Sequence, residues 1–292
     1  MKGRILQGIG SFYTVESEGQ LYVCRARGRF RKQRISPMVG DEVLFAPPGP
    51  AEEEGFLEEI LPRSSELLRP PVANVDLLFV TVAAAAPQPD LLLADRLLLR
   101  ARKAGIETAL VINKTDLALD TACGIARQYR GARCPVLLTN AGTGEGVPEL
   151  MELAAGRIVA FAGQSAVGKS SLMNVLCPGL GQQTGSVSRI ERGRHTTRKA
   201  QLVPLEAGGY LADTPGFSLL ELDAEDPANL RAFYPEFEPY EGLCRFDGCC
   251  HLSEPGCAVK DAAQRGEIAP ERLERYAALF AEVKEKWDRR YS

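Results

Sequence analysis

The most constraining feature of this 292-residue chain is Gly163-Gln-Ser-Ala-Val-Gly-Lys-Ser170, an uninterrupted G-x-x-x-x-G-K-[ST] run. The apolar stretch Ile158–Ala162 leads into it, and Ser171-Leu-Met-Asn-Val-Leu176 beyond it reads as a helix. A strand that enters a glycine turn and leaves as a helix is the context such a run requires. There the backbone N–H groups of Gly163, Gln164, Ser165, Ala166, Val167 and Gly168 curl around phosphate oxygens, and the helix N-terminus beginning near Ser171 adds partial positive charge. Lys169 is placed for the β- and γ-phosphates, and the Ser170 hydroxyl for Mg²⁺. The centre of the molecule is therefore expected to be a nucleotide-binding α/β sheet.

Two further motifs narrow the nucleotide. Asn113-Lys114-Thr115-Asp116 follows the apolar stretch Thr108–Ile112. A carboxylate at Asp116 can accept from both the N1–H and the 2-amino group of guanine, a pair that adenine lacks, and a buried carboxylate left unpaired rejects the wrong base. Asp213-Thr-Pro-Gly216 ends the stretch Tyr210–Ala212. There Asp213 can hold Mg²⁺ through water, and the Gly216 N–H can meet the γ-phosphate. Together the three motifs select GTP over ATP.

The rest of the pattern sorts into three regions. Residues 1–70 are short, β-like and rich in turns. Ile5–Val15 and Leu21–Ala26 flank the turn Glu16–Gly19, Gly40–Phe45 starts a third strand and Gly55–Ile60 a fourth. Such spacing predicts a small barrel, OB-type with an SH3-like barrel as the rival. Pro47–Glu54 reads as a loop and Pro62–Pro71 as a linker. Residues 71–222 alternate apolar strands with helical stretches, the mark of a mostly parallel α/β sheet. Its strands include Val75–Val82 and Val136–Thr139, its helices Pro89–Ala104 and a second near Thr121–Tyr129, and Gln201–Leu205 with Tyr210–Ala212 makes a hairpin. Residues 223–292 become helical around a cysteine cluster, ending in an amphipathic helix from about Pro270 to Arg290.

The motif order is unusual. In an ordinary GTPase the phosphate loop precedes N-K-x-D. Here N-K-T-D comes first, then the phosphate loop, then D-T-P-G. The same sheet can form if its termini have been rejoined elsewhere, because close termini tolerate circular permutation. Asn140 and Ala141, opening Asn140-Ala-Gly-Thr-Gly-Glu-Gly146, then make the second base loop.

This order resembles the ribosome small-subunit-dependent GTPase A family, circularly permuted GTPases of bacteria, and the resemblance covers nearly the whole chain. It implies an OB-like N-terminal domain, a permuted GTPase domain and a C-terminal zinc domain. Arg194-His195-Thr196-Thr197 is similar to that family's first switch motif, with Thr197, or Thr196 beside it, on Mg²⁺. Two positions depart from the usual pattern: Ala166 stands where such loops carry Gly, and Asn140-Ala141 where Ser-Ala is usual. Ras-like enzymes place a water-orienting Gln just after D-x-x-G. This chain has Phe217 there, which can neither donate nor accept a hydrogen bond, so slow intrinsic hydrolysis is expected, with His195 the candidate to position the water.

Cys244, Cys249, His251 and Cys257 gather three Cys and one His in fourteen residues, a tetrahedral set for structural Zn²⁺ with no open catalytic position. Cys250 is adjacent, and the resemblance favours Cys249 as the ligand. Cys24, Cys123, Cys134 and Cys177 are scattered, which fits reduced structural thiols. With only two histidines, a His-rich metal centre is excluded. The start Met1–Gly10 has no apolar stretch of a secretory signal, and Leu77–Ala86 is half a membrane span, so a cytoplasmic protein without membrane partners is expected.

The net charge of −3 hides a contrast. Arg25, Arg27, Arg29, Arg31, Lys32 and Arg34 form a run without an acid, with Arg25 and Arg27 on one barrel face and Phe30 interleaved in the following loop. A second basic run holds Arg189, Arg192, Arg194, Arg198 and Lys199. Both suit RNA phosphates, whose binding falls steeply with salt. The resulting expectation is a monomer: a multidomain GTPase with GTP/GDP, Mg²⁺ and one Zn²⁺. The resemblance adds the small (30S) ribosomal subunit and its 16S rRNA as partners, a role in subunit maturation and release on hydrolysis. The alternatives are a GTP-dependent RNA-binding switch with negligible turnover and a small-molecule phosphotransferase.

Overall fold

A computed structural model describes residues 1–28, 30, 35–68, 70–180, 200–213 and 226–290. The N-terminal region folds as β1 (Lys2–Ile9), β2 (Phe12–Ser17), β3 (Gln20–Ala26), β4 (Glu42–Ala46) and β5 (Gly55–Ile60). The expected single strand Ile5–Val15 is in fact a hairpin. Gly10 takes φ +63°, with open space where a Cβ would stand, and reverses the chain between β1 and β2. The five strands run β1-β2-β3-β5-β4, and β4 returns to β1 to close the barrel. This closure leaves Ile5, Val15, Val43, Phe45 and Leu57 fully buried.

Two other expectations change here. Phe30, expected in a loop among the arginines, is 4% exposed and packed in the barrel core. Burying an aromatic side chain contributes roughly 2–3 kcal/mol, enough to draw it inward from a polar run. The supposed linker also has structure, because β6 (Glu66–Leu68) pairs with β7 (Pro71–Ala73). Leu67 and Val72 bury in the main core, and Arg63 donates to the fully buried Asp41 carboxylate at 2.7 and 2.9 Å.

The central region contains β8 (Leu77–Ala83), α1 (Leu91–Lys103), β9 (Glu107–Asn113), α2 (Leu119–Gln128), β10 (Val136–Thr139), α3 (Val147–Ala154), β11 (Arg157–Ala162), α4 (Lys169–Leu176), β12 (Gln201–Pro204) and β13 (Gly209–Asp213). Strand order is β10-β9-β8-β11-β13-β12, parallel throughout except for β12. Alternation along β8 explains its uniform burial: Leu78, Val80 and Val82 face α1 and α2, whereas Leu77 and Phe79 face α3 and α4. A parallel sheet covered on both faces needs such near-continuous apolar strands. β12 also pairs with β1 through Gln7 and Gln201, so barrel and central sheet are continuous.

The C-terminal region has two 3₁₀ segments, Pro227–Phe233 and Pro235–Tyr240, then the cysteine loop, α5 (Ala258–Gln264) and α6 (Pro270–Arg289). Its core, with Leu230, Tyr234, Phe237, Tyr276 and Leu279, includes Leu99 of α1. Beside Leu99, Asp95 turns a charged face of α1 into the same junction. Arg272 is 2% exposed and ion-paired to Asp95 and Glu236, and Arg275 Nε donates to Asp95 at 2.6 Å. Among the described residues no helix is long and apolar enough to cross a membrane.

Candidate functional site

The sequence motifs converge where the parallel strands end. Ligands of open α/β sheets bind outside the carboxyl ends of the strands. β9 ends on Asn113, β10 on Thr139 and β13 on Asp213, and β11 runs into the phosphate loop.

Asn113 joins two of these loops. Its amide donates to the Val167 carbonyl at 2.9 Å, while its Oδ1 accepts from the Ala141 N–H at 3.2 Å and Thr139 Oγ1 at 3.3 Å. Lys114, left-handed at φ +62°, lies along the phosphate loop with Nζ on the Ala166 carbonyl at 2.8 Å and the Ala86 carbonyl at 2.5 Å. Thr115 is buried and donates to the Thr139 carbonyl. Asp116 is exposed on the 3₁₀ turn Thr115–Leu117. Asn140 Oδ1 accepts from the Gly142 and Thr143 N–H groups, which closes the loop after β10.

The phosphate loop needs its glycines for space. At Gly168, φ +99°, a Cβ would stand 2.2 Å from Asn113 Nδ2, and at Gly163, φ +139°, 2.1 Å from the Thr81 carbonyl oxygen. Ala166 adopts φ +63° between them. Ser165, Ala166, Ser170 and Ser171 are exposed, Gln164 is half-buried and Val167 fully buried. Lys169 Nζ donates to the Gly163 and Gln164 carbonyls at 2.7 and 2.6 Å, and burial holds its pKa below the usual lysine value. The loop thus curls around the ammonium of its own lysine, the group that such a run directs at phosphates. On β13, Asp213 is half-buried and accepts from Gln201 Nε2 at 3.2 Å. His195, Thr196, Thr197, Gly216 and Phe217 lie outside the described residues, as does the basic run Arg189–Lys199.

Cys244, Cys249, His251 and Cys257 bring their donor atoms within 4.8 Å of one another. His251 Nδ1 stands 3.3 Å from Cys257 Sγ and 3.7 Å from Cys244 Sγ, and the two sulfurs are 4.0 Å apart. Zinc bonds of roughly 2.0–2.3 Å in a tetrahedron give edges of about this length, so the cluster could hold Zn²⁺. Cys250 points elsewhere, with Sγ 3.7 Å from the Gly248 carbonyl. Burial pushes the Cys249 thiol up to about 12 and the His251 imidazole down. A bound cation would favour the thiolate instead. Glu254 accepts from the Cys250 and Leu252 N–H groups at 2.8 Å and so shapes the loop.

The barrel arginines are not bare. Arg25 pairs with Glu54 and Arg27 with Glu58, and they lie over the rings of Phe12 and Phe56. Arg29, Arg31, Lys32 and Arg34 lie outside the described residues. Sequence reasoning missed Thr139, whose only signal is a Thr closing the strand before Asn140. It also missed Gln201, which carries no motif.

Comparison with known proteins agrees with this geometry. The RsgA GTPase family model matches residues 60–223, and the RsgA N-terminal domain model matches residues 2–56. A protein of Moorella thermoacetica named small ribosomal subunit biogenesis GTPase RsgA is 47% identical over 284 residues, covering 97% of each chain. One of the same name from Geobacillus thermodenitrificans is 44% identical, covering 98% of each. The crystal structure of YjeQ from Thermotoga maritima superposes with TM-score 0.84 at 37% identity, covering 97% of this chain and 98% of that one. YloQ, described as a circularly permuted GTPase, gives 0.81 at 34% identity, covering 98% and 95%.

Proposed function

Because this chain belongs to the RsgA GTPase family, we propose that it hydrolyses GTP as a biogenesis factor of the small ribosomal subunit. The observation that carries this is the Asn113–Val167 hydrogen bond, which puts the base-recognition turn against the phosphate loop in permuted order. A phosphotransferase acting on a small molecule has no use for a guanine-reading carboxylate, so that reading is not favoured.

Roles follow from the chemistry of each group. Asp116 accepts from the guanine edge, and the Ala141 N–H with Asn140 flanks the base. Lys114 covers the loop, Lys169 leaves its backbone carbonyls for the β- and γ-phosphates, and the N–H groups of residues 163–171 surround them. Mg²⁺, when bound, neutralises charge on the β- and γ-phosphate oxygens. Ser170 and Thr197, or Thr196, would hold it directly, and Asp213 through water. Gly216 would meet the γ-phosphate. His195 would position the attacking water, since Phe217 cannot. Cys244, Cys249, His251 and Cys257 would hold a structural zinc ion.

The reading divides the chain into a barrel (1–70) for 16S rRNA, a GTPase domain (71–222) and a zinc domain (223–292), acting as a cytoplasmic monomer. Hydrolysis loosens its hold on the subunit. The test is GTP turnover with and without purified small subunits. Stimulation with no comparable use of ATP supports the proposal; equal use of ATP, or turnover indifferent to the subunit, overturns it.

A further inference from the structure

The barrel grips one particular hairpin of the central sheet. β1 pairs with β12 at Gln7 and Gln201. The Tyr210 hydroxyl on β13 donates to Glu16 of β2 at 2.9 Å, and the Arg4 guanidinium lies 5.7 Å from the Tyr210 ring centre. Across the hairpin Gln201 is in register with Asp213, and its side-chain amide donates to the Asp213 carboxylate at 3.2 Å. Gln7, Gln201 and Asp213 thus form one row over three adjacent strands.

The place of this row matters. It lies at the open end of the β12–β13 hairpin. In sequence, β12 follows the segment with Arg194-His195-Thr196-Thr197, and β13 ends where Asp213-Thr-Pro-Gly216 begins. Both nucleotide-sensing segments therefore issue from strands that the barrel holds.

We propose that Gln201 is a positioning residue for Asp213, orienting its carboxylate from the barrel side of the sheet. This rests on the reading of Asp213 as the Mg²⁺-side group given above. A carboxylate has two oxygens; an amide donor on one fixes the plane of the group and leaves the other for its ligand. Glutamine suits the task because it donates without adding charge beside the aspartate. Gln201 also shares a ladder with β1, so a macromolecule that shifts the barrel moves this donor. The row gives partner binding a physical route to the nucleotide site without touching the nucleotide.

The experiment compares the full-length protein with Gln201→Met, which keeps side-chain length and removes the donor. Gln201→Leu is the second variant and Asp213→Asn the reference. The readout is the Mg²⁺ concentration at half-maximal tightening of a fluorescent non-hydrolysable GTP analogue, beside thermal melting without nucleotide. The expected result for Gln201→Met is an approximately fivefold rise in that concentration, as loss of one charge-assisted hydrogen bond implies, with melting unchanged. Wild-type Mg²⁺ dependence in both Gln201 variants, beside a shifted Asp213→Asn, overturns the role of Gln201 alone. An unshifted Asp213→Asn overturns the Mg²⁺ reading beneath it as well.

Discussion

The side-chain amide of Asn113 donates to the backbone carbonyl of Val167 at 2.9 Å, joining two loops that are 54 residues apart in the chain. The same side chain accepts from Ala141 and Thr139, so three loops of the site meet on one residue. Asn113→Ala leaves these groups without their partner. The expected loss is about 1–3 kcal/mol, read as a roughly tenfold or greater weakening of GTP binding by titration of a fluorescent analogue.

Asp116 is a different case, because it is exposed and braces nothing in the described structure. Asp116→Ala should leave thermal melting without nucleotide unchanged. Guanine nucleotide affinity should fall by about 3 kcal/mol, roughly two orders of magnitude, and preference over ATP should vanish. Retained preference would remove Asp116 from base recognition.

Ala166 adopts φ +63° in the phosphate loop, a conformation that costs an L-residue about 1–2 kcal/mol. Gly has no such penalty, although its unfolded chain is more flexible. Ala166→Gly should therefore raise stability by about 0.5–1 kcal/mol, measured by urea denaturation. The Lys114 contact is to the backbone carbonyl and survives the change.

Arg272 is buried between two carboxylates, Asp95 of α1 and Glu236 of the C-terminal region. Removing one member of a buried ionic set strands the others, typically at about 3–5 kcal/mol. Arg272→Met should show a loss of this size in chemical denaturation. The double variant Arg272→Met, Glu236→Leu should recover part of it, because Asp95 keeps Arg275 as its ionic partner.

Burial raises the pKa of Glu254, but hydrogen bonds from the backbone N–H groups, including those of Cys250 and Leu252, outweigh it and leave the carboxyl below its ordinary value of 4.5. A depressed folded-state value means its stabilisation is complete above the unfolded value. It is lost as pH falls from about 4.5 through the lower folded value. Wild type should lose more melting temperature than Glu254→Gln between pH 6 and pH 3. Parallel curves would show that Glu254 does not shape the cysteine loop.

The motifs were legible because their chemistry depends on residue type at short range. A phosphate cradle needs Gly163 and Gly168 at fixed spacing, since a Cβ at either would collide with Thr81 or Asn113. Cys244, Cys249, His251 and Cys257 within one loop are a donor set that could hold a tetrahedral cation. β8 and β11 were equally plain, because strands buried on both faces are nearly all apolar, Thr81 being the polar residue within β8. Alternation failed at Ile5–Val15, where Gly10 can continue a strand or reverse it, and only pairing between β1 and β2 selects the turn.

Sequence by itself carried the phosphate-loop, N-K-T-D and D-T-P-G motifs, their permuted order and a cluster of cysteines with one histidine, because each is a pattern of residue types at short range. Only the tertiary structure decided that Phe30 plugs the barrel, that Arg25 and Arg27 meet Glu54 and Glu58, that Arg272 unites Asp95 with Glu236, and that Gln201 faces Asp213. In each case the deciding partner lies on another element. Burial and charge pairing depend on distance in space, which the spacing of residues along the chain does not encode.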